Sequence, residues 1–161
     1  QDPTVLAWGD QRILLSHGDA LCLGDTDYQV FRQQVRSAPW QTEFLAQTLV
    51  QRQAAARALR AQSEAKKQQQ AQSHIQWIDL DSQACLAVLT HAKANHMVHG
   101  HTHQPARHDL GGGHTRWVLS DWDLGAAKPR AEALRLRLDQ AHPGGPVLVQ
   151  RIALTGTAPQ H

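Results

Sequence analysis

The segment Met97-Val98-His99-Gly100-His101-Thr102-His103, an apolar run that passes into alternating histidines, has to be read with Ser16-His17-Gly18-Asp19 far upstream. Each places metal-ligating residue types directly after a short hydrophobic stretch, the pattern of a strand that ends at a site. Of the eleven histidines, six fall between His96 and His114, more than a packed core requires. A neutral imidazole offers a lone pair near neutral pH, which makes histidine the commonest ligand for transition metals. If Met97 to His99 form a strand, residues two apart point the same way, so His101 and His103 can face one site just beyond its end. Gly100 lets the backbone turn close to that site. His99 shares the alternation but sits inside the strand, where it either packs or orients a ligand, and it is left out of the ligand set. His74, His91, His142 and His161 are isolated and read as surface or hydrogen-bonded histidines.

Local patterns place these motifs on elements. Val5 to Trp8, a Gly9-Asp10 turn and Ile13 to Ser16 form a hairpin that delivers the first motif. Thr26 with Gln29 is a capping-box pattern opening a helix through Phe31 and Val35, which Pro39 ends. Trp40, Phe44, Leu45 and Leu49 recur at helical spacing. From Val50 to about Gln72 the chain is rich in Ala, Gln, Arg and Lys with few apolar anchors, the composition of an exposed helical arm or lid. A further helix starts at Asp81 or Ser82, buries Cys85, Leu86, Val88 and Leu89, and closes at Asn95. Strands then resume over Ala106 to Leu110, Trp117 to Leu119, Leu134 to Leu138 and Val147 to Ile152, with turns at Gly111-Gly112-Gly113 and Pro143-Gly144-Gly145. Strand, helices, strands without an internal repeat imply an α/β (α+β) chain of layered sheets flanked by helices.

Composition narrows the class. With 161 residues the chain fits one domain, and 41% hydrophobic content with five Trp, two Phe and one Tyr makes an aliphatic core. No apolar run approaches the roughly 20 residues needed to cross a bilayer. Cys22 and Cys85 lie far apart without metal-type spacing, which suits free thiols in a reducing cytosol. A net charge of +2 gives no case for a nucleic-acid partner.

Five blocks in order resemble a known family: Ser16-His17-Gly18-Asp19-Ala20-Leu21-Cys22; Asp25 with Tyr28-Gln29-Val30-Phe31-Arg32; Arg60-Ala61-Gln62-Ser63; His99-Gly100-His101-Thr102-His103-Gln104-Pro105-Ala106; and Leu119-Ser120-Asp121-Trp122. They are similar to successive blocks of the UDP-2,3-diacylglucosamine pyrophosphohydrolases of lipid A biosynthesis, within the calcineurin-like dinuclear metallophosphoesterases. The resemblance implies a metallophosphoesterase-type layered β-sandwich flanked by helices, with a helical cap insertion at about 25–75. It implies two manganese ions, with His17 and His101 on one and His103 on the other, and with these three histidines as the catalytic set. Asp19 is expected to orient a loop or a histidine. Asp25, Tyr28, Arg60, Ser63, Lys67 and His101 are the expected substrate contacts. Arg60, Ser63 and Lys67, spaced three and four apart, share one helical face. Trp40, Phe44 and Leu45 either line an acyl groove or are plain core.

The implied reaction is hydrolysis of the pyrophosphate bond of UDP-2,3-diacylglucosamine to UMP and 2,3-diacylglucosamine 1-phosphate, in the cytoplasm at the inner-membrane surface as a peripheral protein. The family's Asp-x-His, Gly-Asp and Gly-Asn-His/Arg-Asp ligand motifs precede His17. This chain opens Gln1-Asp2-Pro3, has Asn95 as its sole asparagine, and is read as the C-terminal portion of one domain whose N-terminal half completes the site. The isolated chain is expected to be inactive. Ser120 stands where the family usually has Gly. Another dinuclear phosphoesterase (a nuclease or phosphatase) and a non-catalytic metal-binding fragment are the alternatives; the long helical separation of His17 and His101 favours a dedicated cap over a bulky substrate.

Overall fold

The computed structural model describes residues 1–72, 78–127, 129–138, 145 and 147–153, with side chains over the same residues except 66–72 and 138. By contact it divides into two units, Gln1–Cys22 with the residues from Asp79 on, and Leu23–Ile78. The first holds a mixed α/β arrangement. β1 (Thr4–Trp8) and β2 (Gln11–Ser16) form an antiparallel hairpin from Thr4↔Leu15 to Trp8↔Gln11. β3 (His96–His99) runs parallel to β2, and β5 (His114–Val118) parallel to β3, while β4 (Arg107–Gly111) closes the edge antiparallel to β5. The strand order is β1-β2-β3-β5-β4. A separate hairpin, β6 (Glu132–Leu138) with β7 (Val147–Ala153), forms a second, two-stranded sheet. The Pro143-Gly144 part of the expected turn between them lies outside the described residues.

Strand alternation assigns the two faces of the larger sheet. Ile13 and Val98 pack with Val147, and Leu15, Trp117, Leu119, Leu134, Leu136 and Val149 gather around them, so one face is covered by the β6–β7 hairpin. The next residues along, Leu14, Met97, His99, Arg116 and Val118, point the other way and are buried. That side receives the helix Ser82–Ala92, which buries Cys85 and Leu89 and contacts β2. Its N-cap is Asp81, whose carboxylate accepts from Ala84 N–H at 2.7 Å. Its end differs from the expectation at Asn95: Lys93 takes the left-handed cap position at φ +52 and its N–H closes on Leu89 and Thr90 carbonyls.

Among its described residues the second unit holds three helices. α1 (Thr26–Val35) is capped by Asp25, which accepts from Tyr28 N–H at 3.2 Å, so Thr26 is the first helical residue and not the cap. Pro39 does not terminate α1. Ser37 caps a new helix, α2 (Ala38–Ala46), and Pro39 occupies its first turn, where its missing N–H costs nothing. The capping box of this unit is Thr48 with Gln51, each side chain meeting the other's backbone N–H, at the head of α3 (Leu49–Gln72). Trp40 and Phe44 stack at 4.8 Å, whereas Leu45 is 64% exposed. The helix Ser82–Ala92 is then α4.

Leu89 has no exposed surface. Leu89→Ala is expected to cost about 2–5 kcal/mol by opening a cavity between α4 and the sheet, and Asp81→Ala about 1 kcal/mol by loss of the cap. Urea unfolding of the two variants checks the order. A Leu89→Ala loss no larger than that of Asp81→Ala would mean that α4 is not packed as described.

Candidate functional site

Parallel pairing brings the C-terminal ends of β2, β3 and β5 side by side: Ser16 is in register with His99, and His99 with Val118. The loops that leave them, His17-Gly18-Asp19, Gly100-His101-Thr102-His103 and Leu119-Ser120-Asp121, therefore meet along one edge, where open α/β sheets bind ligands. Backbone bonds tie each loop to the next. Gly100 N–H donates to His17 O at 3.2 Å, and Leu119 N–H to His99 O at 2.8 Å.

His17 and His101 are brought together, with ring centroids 5.2 Å apart and planes at 65°. Oδ1 of Asp19 lies 3.1 Å from Nδ1 of His17; the carboxylate is buried at 1% exposure while the imidazole is half exposed. The carboxylate thus faces the Nδ1 side of the ring and leaves Nε2 on the opposite side, the side from which a histidine with a neighbouring carboxylate binds a metal. Asp19 is itself fixed by the 3-10 turn Asp19–Leu21 that it opens. The tight glycine of the site is Gly18, not Gly100. Gly18 sits at φ +95, and a Cβ there would meet His99 Nδ1 at 3.1 Å, whereas one at Gly100 would meet only His17 O at 3.8 Å. The left-handed backbone of the second loop falls on His101 (φ +63) and His103 (φ +52).

His103 is exposed, and its charge reaches Asp121 of the third loop. The Asp121 carboxyl is held below the usual range first by hydrogen bonds from Arg130, at 2.7 Å to each oxygen. Among the described residues no group of three His, Cys, Asp or Glu stands close enough to hold a metal ion. The donors thus fit a divalent cation in part: two imidazoles converge, one already oriented, but the oxygen-rich shell that manganese prefers is not assembled among them.

The expected substrate contacts belong to the helical unit. Asp25 caps α1 and Tyr28, half-buried, lies 6.3 Å from the Phe31 ring. Arg60 and Ser63 are exposed on α3. The side chain of Lys67 lies outside the described residues.

Sequence reasoning missed the charged group beneath the loops. Arg116, 3% exposed in the middle of β5, donates from Nη1 to His99 Nε2 at 3.0 Å and to Asp79 Oδ1 at 3.0 Å, and from Nη2 to Asp79 Oδ2. The available signal was an arginine between Thr115 and Trp117 at a strand position whose alternation points inward. Burial opposes ionisation of Asp79, but the Arg116 hydrogen bonds, the Leu80 N–H and the Arg116 charge outweigh it and hold the carboxyl below its ordinary value. His99 is driven down to about 4, chiefly by burial and then by the Arg116 charge, against the opposing bond to Gly100 O.

Between about 4 and the ordinary 6.5 the unfolded chain binds a proton at His99 that the folded chain refuses, so stability is full above 6.5 and is lost as pH falls through this window. His96 and His108, also lowered, add in the same direction. The difference in unfolding free energy between wild type and His99→Leu is expected to shrink by about 3 kcal/mol from pH 7 to pH 4. Urea midpoints across that range test it, and a pH-independent difference would show that His99 titrates normally.

No family model matches the chain. Curated relatives do. The chain is 46% identical over 124 residues to the UDP-2,3-diacylglucosamine hydrolase of Chromobacterium violaceum, a match covering 77% of this chain and 51% of that protein. It is 42% identical over 131 residues to that of Bordetella pertussis, covering 80% and 50%, and 39% identical over 159 residues to that of Aromatoleum aromaticum, covering 97% and 60%. The chain spans about half the length of the curated relatives it matches. Over most of its residues the chain is thus similar to part of proteins named UDP-2,3-diacylglucosamine hydrolase.

Proposed function

We propose that this chain forms part of a hydrolase that cleaves the phosphoanhydride of UDP-2,3-diacylglucosamine, releasing UMP and 2,3-diacylglucosamine 1-phosphate in lipid A biosynthesis. The observation that carries this reading is that a relative named for that substrate matches nearly the whole chain, and so all three loops of the site. His17, His101 and His103 would hold divalent cations, manganese in this reading, two per complete site. Bound there, the cations would supply an activated water and neutralise charge on phosphoryl oxygens. Asp19, 3.1 Å from Nδ1, faces the side of the His17 ring opposite Nε2 and would steady the ring in this reading. His101, next to His17, is also placed against the substrate phosphate in this reading. In this reading the oxygen ligands that manganese prefers would come from the family's upstream motifs, which would then be needed for turnover.

The resemblance also supports Asp25, Tyr28, Arg60, Ser63 and Lys67 as substrate-side residues. A guanidinium or ammonium suits phosphate and a hydroxyl suits sugar oxygens. Because the substrate is diacylated, the enzyme would work peripherally at the cytoplasmic face of the inner membrane. Among the described residues no helix is long and apolar enough to cross a membrane.

Release of UMP from UDP-2,3-diacylglucosamine with manganese, by protein made from the complete coding sequence, tests the reading. His101→Ala is expected to lower turnover by roughly a hundredfold or more. The 161 residues alone are expected to give no UMP above background. Full activity in His101→Ala, or robust turnover by the 161 residues, would overturn the ligand assignment. Ser63→Ala is expected to weaken kcat/KM by about 1–3 kcal/mol with metal content unchanged; unchanged kinetics would remove α3 from substrate recognition.

A further inference from the structure

His99 bonds at both ring nitrogens, and both partners are unambiguous. The Gly100 carbonyl can only accept, so Nδ1, 2.9 Å away, carries the proton; Arg116 can only donate, so Nε2 is the acceptor. The ring is fully buried and its edge lies against Gly18, where even a Cβ would come within 3.1 Å of Nδ1. It therefore touches the first loop by packing and the second by hydrogen bond. Gly100 in turn joins the two loops through its N–H to His17 O. Behind the ring, Arg116 is held by both oxygens of Asp79, which sits two residues before the cap of α4. The chain of contacts thus runs from α4 through the sheet to the joint between His17 and His101.

We propose that His99, clamped by Arg116 and Asp79, is a positioning residue that sets the spacing of His17 and His101 by locking the Gly100 peptide. It touches neither substrate nor cation. Its significance for a metal centre rests on the reading of His17 and His101 as ligands, but the positioning itself can be measured without any metal.

The test uses the full chain and nuclear magnetic resonance. Long-range proton–nitrogen spectra are expected to show His99 as the Nδ1–H tautomer; an Nε2–H ring would overturn the proposal. Amide exchange then reports the joint. His99→Leu, which keeps bulk but loses both bonds, is expected to speed exchange at Gly100 and Thr102 about tenfold or more while Leu14 and Met97 stay within about threefold. His99→Asn, whose amide can still donate to Gly100, is expected to restore most of the protection. Wild-type exchange at Gly100 in His99→Leu, no rescue by His99→Asn, or uniform acceleration through β2 and β3 would each show that His99 is only a core residue. If His99→Leu does not fold, Asp79→Asn leaves the histidine in place and loosens its clamp, with acceleration at the same two amides as the supporting result and none as the contrary one. Zinc alone, titrated into wild-type protein made from the complete coding sequence, separates the two ideas: unperturbed His17 and His101 ring signals would sink the ligand reading and leave the exchange result standing.

Discussion

Parallel strands all end at the same edge of a sheet, so the register of β2, β3 and β5 decides whether three distant loops can share a site. Ser16, His99 and Val118 stand in line across the three strands, and every candidate residue of the first unit follows within four positions of one of them. A one-residue slip of β3 would carry His99 to the hairpin face, where Ile13, Val98 and Val147 form an apolar core, and bring Val98 against Arg116. Parallel pairing also dictates what lies between the loops, because neighbouring parallel strands need a long crossover. Between β2 and β3 that crossover contains the whole Leu23–Ile78 unit and then α4. The helical unit is therefore spliced into the chain directly after the first loop, between Cys22 and Asp79.

A buried arginine in the middle of a strand is an expensive choice for stability alone, since a well-packed apolar residue of similar size is often as good or better. Arg116 is tolerated because its two terminal nitrogens are matched, Nη1 and Nη2 by the Asp79 carboxylate and Nη1 also by a neutral imidazole, although Nε has no hydrogen-bond partner among the described residues. The match is conditional. Protonating the imidazole would set two cations 3.0 Å apart, which is the physical reason the Arg116 charge adds to burial in keeping His99 neutral. The same guanidinium acts oppositely on its other side, holding Asp79 ionised.

The elements of the first unit were legible because their signals are local. The Val5–Ser16 hairpin and the His96–His99 strand are written in short apolar runs and the Leu134–Leu138 strand in a period of two, and these strands appear within one or two residues of expectation. Caps were less legible, since Thr26-x-x-Gln29 and Thr48-x-x-Gln51 are the same pattern and only the second forms the box; Asp25 precedes Thr26 and captures the Tyr28 N–H first. Gly100 drew attention through its place in the motif, whereas Gly18 is the residue where a side chain would crowd its neighbours, a fact that depends on His99, 81 positions away in the sequence and adjacent in space. Arg116 and Asp79 escaped for the same reason: their meaning lies in a pairing across the sheet that no spacing rule encodes.

The backbone of the Gly-His-Thr-His loop helps to explain why the His17 and His101 rings stand close. His101 and His103 both adopt left-handed conformations, each costing a non-glycine residue on the order of 1 kcal/mol. Such a conformation persists only where neighbours enforce it. Here the enforcement is visible: Gly100 N–H on His17 O, Thr102 N–H on Gly100 O at 2.8 Å, and Thr102 buried at 4% exposure. Once those bonds fix φ and ψ, the directions of the Cα–Cβ bonds at positions 101 and 103 are fixed too, and the side-chain torsions then bring the His101 ring to 5.2 Å from that of His17. The histidines supply the chemistry of the loop, but it is the peptide groups between them, and the buried ring beneath, that determine where that chemistry is presented.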